Sequence, residues 1–163
     1  MKVAIVYDNT QRPDTTGEHC LQALRGLCEV QHFLPTQMDE VPRASFDLHL
    51  QIDDGLRYRF PLDLRPSAWW VIDTHLQYDW DRQKASDFDF VFAAQRDGAE
   101  RLEADWTGPV QWLPLACNPA VHRPHEVDKD LKTQKSHEIG KRVEAAISEM
   151  PAVDRAFIHL DPR

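Results

Sequence analysis

The sequence predicts an α/β protein: a Rossmann-like, mostly parallel sheet flanked by helices, with a short helix-strand appendage at its carboxyl end. Three observations point there. Short β-branched or aromatic runs alternate with helical or crossing segments across residues 1–117, and several of those runs stop at acidic turns. Parallel neighbours need crossover connections, which such alternation supplies. Residues 136–163 then change style, and 118–135, with Pro119, Pro124 and a charged stretch, read as a linker.

The elements follow in order. Lys2 to Tyr7 (KVAIVY) is the pattern of a buried first strand, leaving at Asp8 into a loop. Thr15 and Thr16 open a helix on which Cys20, Leu21, Leu24 and Leu27 recur at helical spacing, and Gly26 lies near its end. Further strands are predicted over 30–34, 46–52, 68–72, 88–92 and 110–113, with helices over 79–86 and 95–104. In a sheet of this kind ligands bind beyond the carboxyl ends of the strands, where the chain places Asp8, Asp53, Asp54, Asp73 and His75.

Composition narrows the function classes. The chain has 163 residues, 42% apolar and 28% charged, which suits one ordinary domain with a small addition. A formal charge of -8 without a Lys/Arg cluster excludes nucleic acid or an anionic membrane as the main partner, because both require a basic surface. Apolar runs such as 69–72 fall far short of a membrane span and no signal-peptide core follows Lys2, so a cytoplasmic location is expected. Cys20, Cys28 and Cys117 are odd in number and widely spaced, as expected of reduced, mostly buried thiols.

Asp53-Asp54-Gly55 and Asp73-Thr74-His75 are the candidate ligand groups, since carboxylates and imidazoles can bind sugar hydroxyls in a polar cleft. The competing reading is strand-end capping, with Asp53 and Asp54 satisfying backbone N–H groups in an Asx-turn before Gly55. Trp69, Trp70 and Trp112 lie in apolar strands and are predicted to be core, leaving Tyr78, Trp80 and Trp106 as candidates for a surface stacking platform. The loop after the first strand contains a single glycine, Gly17, which disfavours a dinucleotide fingerprint or a Walker loop.

With Phe46-Asp47-Leu48, Asp53-Asp54-Gly55, the Trp69 to His75 segment (WWVIDTH), Phe88 to Ala94 (FDFVFAA) and Trp112 to Pro119 (WLPLACNP), the chain resembles the amino-terminal half of CgeB-like glycosyltransferases over about residues 1–130. The resemblance implies a GT-B acceptor-side domain. It makes a glycan acceptor or a donor-domain partner chain the expected partner, with Asp53, Asp54, Asp73 and His75 lining the acceptor side. His75 or Asp73 is then the general base. The second domain, which in that family grips the nucleotide-sugar diphosphate, is not expected in so short a chain, so the acceptor half is expected to be inactive alone and a truncated or fused gene is the expected origin.

The tail has its own pattern. Ser136 can cap a helix over 137–150 whose Ile139, Val143, Ala146, Ile147 and Met150 share a face, and a strand over 156–160 follows. The helix runs about 20 Å and a return strand about 17 Å, which brings His137 towards His159 and Asp161. Two imidazoles and a carboxylate suit Zn²⁺; a solvated His137 and a partly buried His159 are the alternative. Ser136 to Glu144 (SHEIGKRVE) and Phe157 to Pro162 (FIHLDP) resemble the end of the cytoplasmic domain of cation diffusion facilitators. That second resemblance implies zinc held by His137, His159 and Asp161, and a zinc-responsive homodimer formed through the tail.

Overall fold

The computed structural model describes residues 1–11, 15–116, 138, 141 and 142. The chain divides into two units, Met1–Asn118 and Pro119–Arg163. In the second, Glu138, Lys141 and Arg142 are helical and exposed.

The first unit is a Rossmann-like α/β layer structure. Six strands, β1 (Lys2–Val6), β2 (Glu29–Phe33), β3 (Leu48–Ile52), β4 (Ser67–Val71), β5 (Phe90–Ala93) and β6 (Val110–Trp112), form one sheet in the order β2-β1-β3-β4-β5-β6. Every pairing is parallel. Three helices connect them: α1 (Thr16–Arg25), α2 (Thr74–Ala85) and α3 (Arg96–Asp105). A 3₁₀ stretch, Pro35–Glu40, replaces a helix between β2 and β3, and the sequence reading did not anticipate it.

Period-two alternation assigns each strand residue to a face. Ala4 and Val6 of β1, Trp69 and Val71 of β4, and Val91 and Ala93 of β5 are buried with Ala85 of α2 and Ala99 and Leu102 of α3. On the opposite face, Ile5, Tyr7 and Ile52 pack with Leu21 of α1. Burying each of the larger aliphatic or aromatic side chains contributes about 1.5–3 kcal/mol, so the first cluster dominates the stability of the unit. The second face is thinly covered towards β5, where Phe90 remains 49% exposed and Phe92 half-buried.

Thr15 caps α1, its side chain accepting from the Glu18 N–H at 3.3 Å, as the sequence signal implied. Leu27 lies beyond the helix end and is 82% exposed, so it belongs to the turn and not to the apolar stripe. Helix α2 begins five residues before the predicted 79–86 stretch. Its opening turn carries no apolar periodicity, for Leu76 is exposed, and non-helical φ/ψ at Gln77 (-148°, 40°) separates that turn from the rest. Trp69 is core, whereas Trp70 is half-buried and Trp112, on edge strand β6, is 47% exposed. An edge strand with one neighbour cannot bury a large side chain as a central strand does. Cys20 and Cys28 are half-buried free thiols, and burial pushes Cys20 up to about 11.

Helices α2 and α3 meet at Gly98, where a Cβ would lie 2.1 Å from the Thr74 Oγ1 and 2.8 Å from its Cβ. Gly98→Ala is therefore expected to push the start of α3 off Thr74 and to destabilise the protein by about 1–3 kcal/mol. Urea denaturation checks this; an unchanged midpoint would show that the two helices are not in close register there.

Candidate functional site

The carboxyl ends of β1, β3 and β4 are stitched together by two carboxylates. Asp53 Oδ1 accepts from the Gly55 N–H at 3.1 Å, and Oδ2 accepts from the Ile72 N–H, just past β4, at 3.0 Å. Asp54 Oδ1 accepts from the Leu56 N–H at 3.0 Å. Its Oδ2 accepts both the Asp8 N–H, past β1, at 2.9 Å and the Tyr58 hydroxyl at 2.8 Å. Gly55 follows with φ +77°, the left-handed conformation that glycine adopts without a Cβ clash. Every oxygen of Asp53 and Asp54 is thus engaged, and the Asx-turn alternative describes their local bonding. Asp8 in turn accepts from the Thr10 hydroxyl at 2.8 Å.

Asp73 and His75 stand differently. Asp73 is the N-cap of α2 by position, yet its side chain makes no capping bond, and both residues are exposed. His75 Nδ1 lies 2.7 Å from Gln95 Nε2, and Gln95 Oε1 accepts from the Thr74 hydroxyl at 2.6 Å. Asp73 and His75 are thus two exposed side chains at the start of α2, with Gln95 beside one of them.

Between the sheet and α2 lies a charged pair that sequence reasoning passed over. Lys84 is 1% exposed, with Nζ 4.3 Å from the centroid of the Tyr58 ring and 5.0 Å from that of Trp69. Burial pulls it down to about 8, against the attraction of Asp53, Asp54, Asp81 and Asp87. Asp81 is fully buried, and neither carboxylate oxygen has a hydrogen-bond partner. Burial pushes it up to about 7, repulsion from Asp53 and Asp73 adds, and Lys84 and Arg57 oppose. The Trp69 indole N–H is likewise buried without a partner. Burial, with the Asp54 carboxylate beside it, also raises the Tyr58 phenol. In the sequence, Asp81 and Lys84 are spaced like an ordinary solvated helical ion pair, and only the rotation of α2 about its axis turns them inward.

The neighbouring loop is held by Asp87, itself buried, which accepts from Arg59 Nε at 2.6 Å, from Arg59 Nη2 and from the Phe60 N–H at 3.1 Å. This bidentate clamp fixes the 54–66 segment over α2.

Among the described residues, no group of three or more His, Cys, Asp or Glu is arranged to hold a metal ion, and no helix is long and apolar enough to cross a membrane. His137, His159 and Asp161 lie outside the described residues, as does Cys117. Compared with family models, curated proteins and solved structures, the chain matches none. The fold and the strand-end geometry therefore define a Rossmann-like α/β protein with an acidic strand-end site.

The buried pair predicts a pH dependence. Asp81 holds its proton more tightly in the folded chain, so its contribution to stability is full below its ordinary value of 3.8 and is lost as pH rises to about 7. Lys84 holds its proton less tightly when folded, so its contribution is present above 10.5 and lost as pH falls through about 8. Asp81→Asn is expected to flatten the decline between pH 4 and 7 and to stabilise the protein near pH 8 by roughly 1–3 kcal/mol. Urea titrations across that range measure it, and an unaltered slope would mean that Asp81 is solvated.

Proposed function

We propose that the Met1–Asn118 unit is the acceptor-side domain of a GT-B, CgeB-type glycosyltransferase, presenting a glycan hydroxyl at the carboxyl edge of its sheet. The observation that carries this reading is the division of labour among the strand-end groups: Asp53 and Asp54 are spent on backbone N–H groups, and Asp73 and His75, two residues apart at the start of α2, are left exposed. A carboxylate and an imidazole are the groups needed to orient a sugar hydroxyl and take its proton as a donor is attacked. Stabilising a departing nucleoside diphosphate calls for amide-rich loops or basic side chains. The segment between β1 and α1 lacks the glycine-rich pattern of a phosphate loop, Gly17 lying within α1, which supports a donor supplied by another domain or chain.

Saturation-transfer NMR with a panel of neutral oligosaccharides tests the reading. Binding is expected for the wild-type chain, and Asp73→Ala with His75→Ala together should weaken it at least tenfold, the equivalent of losing two polar contacts at about 1 kcal/mol each. Affinity untouched by the double substitution would remove these two residues from any acceptor site.

A further inference from the structure

We infer that Gln95, oriented by Thr74, fixes His75 in the tautomer that carries its proton on Nε2, making His75 a hydrogen-bond donor to the ligand and leaving proton abstraction to Asp73. The inference deepens the acceptor-site reading and rests on it for its catalytic meaning.

The argument is one of donors and acceptors in series. Thr74 Oγ1 lies 2.6 Å from Gln95 Oε1. A carbonyl oxygen only accepts, so the Thr74 hydroxyl proton lies on that line. The other end of the same amide, Nε2, is 2.7 Å from His75 Nδ1. An amide nitrogen only donates, so Nδ1 presents its lone pair, and the neutral ring must carry its proton on Nε2.

Turning the amide over would reverse the sequence, but Thr74 opposes that. Its side chain is 2% exposed and Gln95 Oε1 accepts its proton; a reversed amide would offer it a donor instead and leave a buried hydroxyl proton without an acceptor. Thr74 is in turn held by the tight approach of Gly98 in the first turn of α3, the helix that Gln95 precedes.

The consequence reverses the role first expected of His75. Its outward nitrogen bears a hydrogen and cannot accept one while the ring is neutral, so it donates to a lone pair of the acceptor oxygen. The exposed Asp73 carboxylate, two residues away, then takes the hydroxyl proton as the acceptor oxygen bonds to the anomeric carbon of a nucleoside-diphosphate sugar. The bond from that carbon to the diphosphate breaks, the diphosphate leaving with the electron pair, and His75 keeps its own proton. Gln95 and Thr74 are positioning residues for this arrangement.

Long-range ¹H–¹⁵N NMR of the full chain tests it, with the His75 ring signals assigned by their loss in His75→Gln. Spectra are taken with the imidazole neutral, when the two ring nitrogens are distinguishable. The wild-type chain is expected to show a protonated Nε2 and an unprotonated Nδ1. Gln95→Glu places a carboxylate opposite Nδ1, which only accepts, and is expected to move the proton to Nδ1. A wild-type spectrum with protonated Nδ1, or a Gln95→Glu spectrum that keeps the proton on Nε2, overturns the inference. Because this readout needs no sugar, failed glycan binding would sink the acceptor reading alone, and an unmoved proton would sink the tautomer assignment even where glycan binds.

Discussion

The strand-end region depends on the hydrogen bonds that Asp53 and Asp54 make across three strands. A parallel sheet has no hairpins to hold its carboxyl ends in place, and each strand leaves into a long crossover. Here two consecutive carboxylates at the end of β3 reach one neighbour each: Asp53 to the Ile72 N–H beyond β4, and Asp54 to the Asp8 N–H beyond β1. A hydrogen bond to an ionised acceptor is stronger than a neutral one, so these contacts fix where the β1 and β4 crossovers begin. The entry of α2, and with it Asp73 and His75, inherits its position from Ile72.

That arrangement has an electrostatic cost. Asp53 and Asp54 are only half-buried, but their field reaches the space beneath α2, where both raise Lys84 against the effect of burial and Asp53 adds to the raising of Asp81. A buried cation near a carboxylate pair offsets their mutual repulsion. Its placement against the faces of Tyr58 and Trp69 adds a cation–π contribution in a desolvated setting. Tyr58 joins the two levels directly, its hydroxyl donating to Asp54 above and its ring lying against Lys84.

The sheet was legible in the sequence because buried parallel strands read as near-continuous apolar runs, as KVAIV and SAWWV do, while LHLQI, interrupted by the buried His49 and Gln51, was marked by its Leu and Ile and by the acidic turn after it. Strand-end acids were legible for the same reason, since Asp8, Asp53, Asp54 and Asp73 punctuate those runs. What could not be read was the use of each side chain. Asp53 and Asp73 look alike as strand-end aspartates, yet one is consumed by backbone N–H groups and the other is not, a difference set by the turn geometry at Gly55. Asp81 and Lys84 were hidden because periodicity gives the phase of a helix only where apolar residues mark it, and α2 has few. Gln95 was hidden because its partner His75 is 20 residues away and only the crossing of α2 and α3 brings them together.

The charge at the strand ends also argues about the class of ligand. Asp8, Asp53, Asp54 and Asp73 all lie at this edge, Asp81 is buried below it, and the chain as a whole carries a formal charge of -8. Such a field disfavours an anionic diphosphate, since the buried Lys84 offsets only part of it. A neutral, hydroxyl-rich molecule meets no such penalty, because carboxylates accept from its O–H groups and an Nε2–H donates to its oxygens. On the proposed reading, the features that disfavour a nucleotide donor at this edge are those that suit it to a sugar acceptor. In the proposed acceptor site, engagement of Asp53 and Asp54 with the backbone leaves recognition to the short segment from Asp73 to His75.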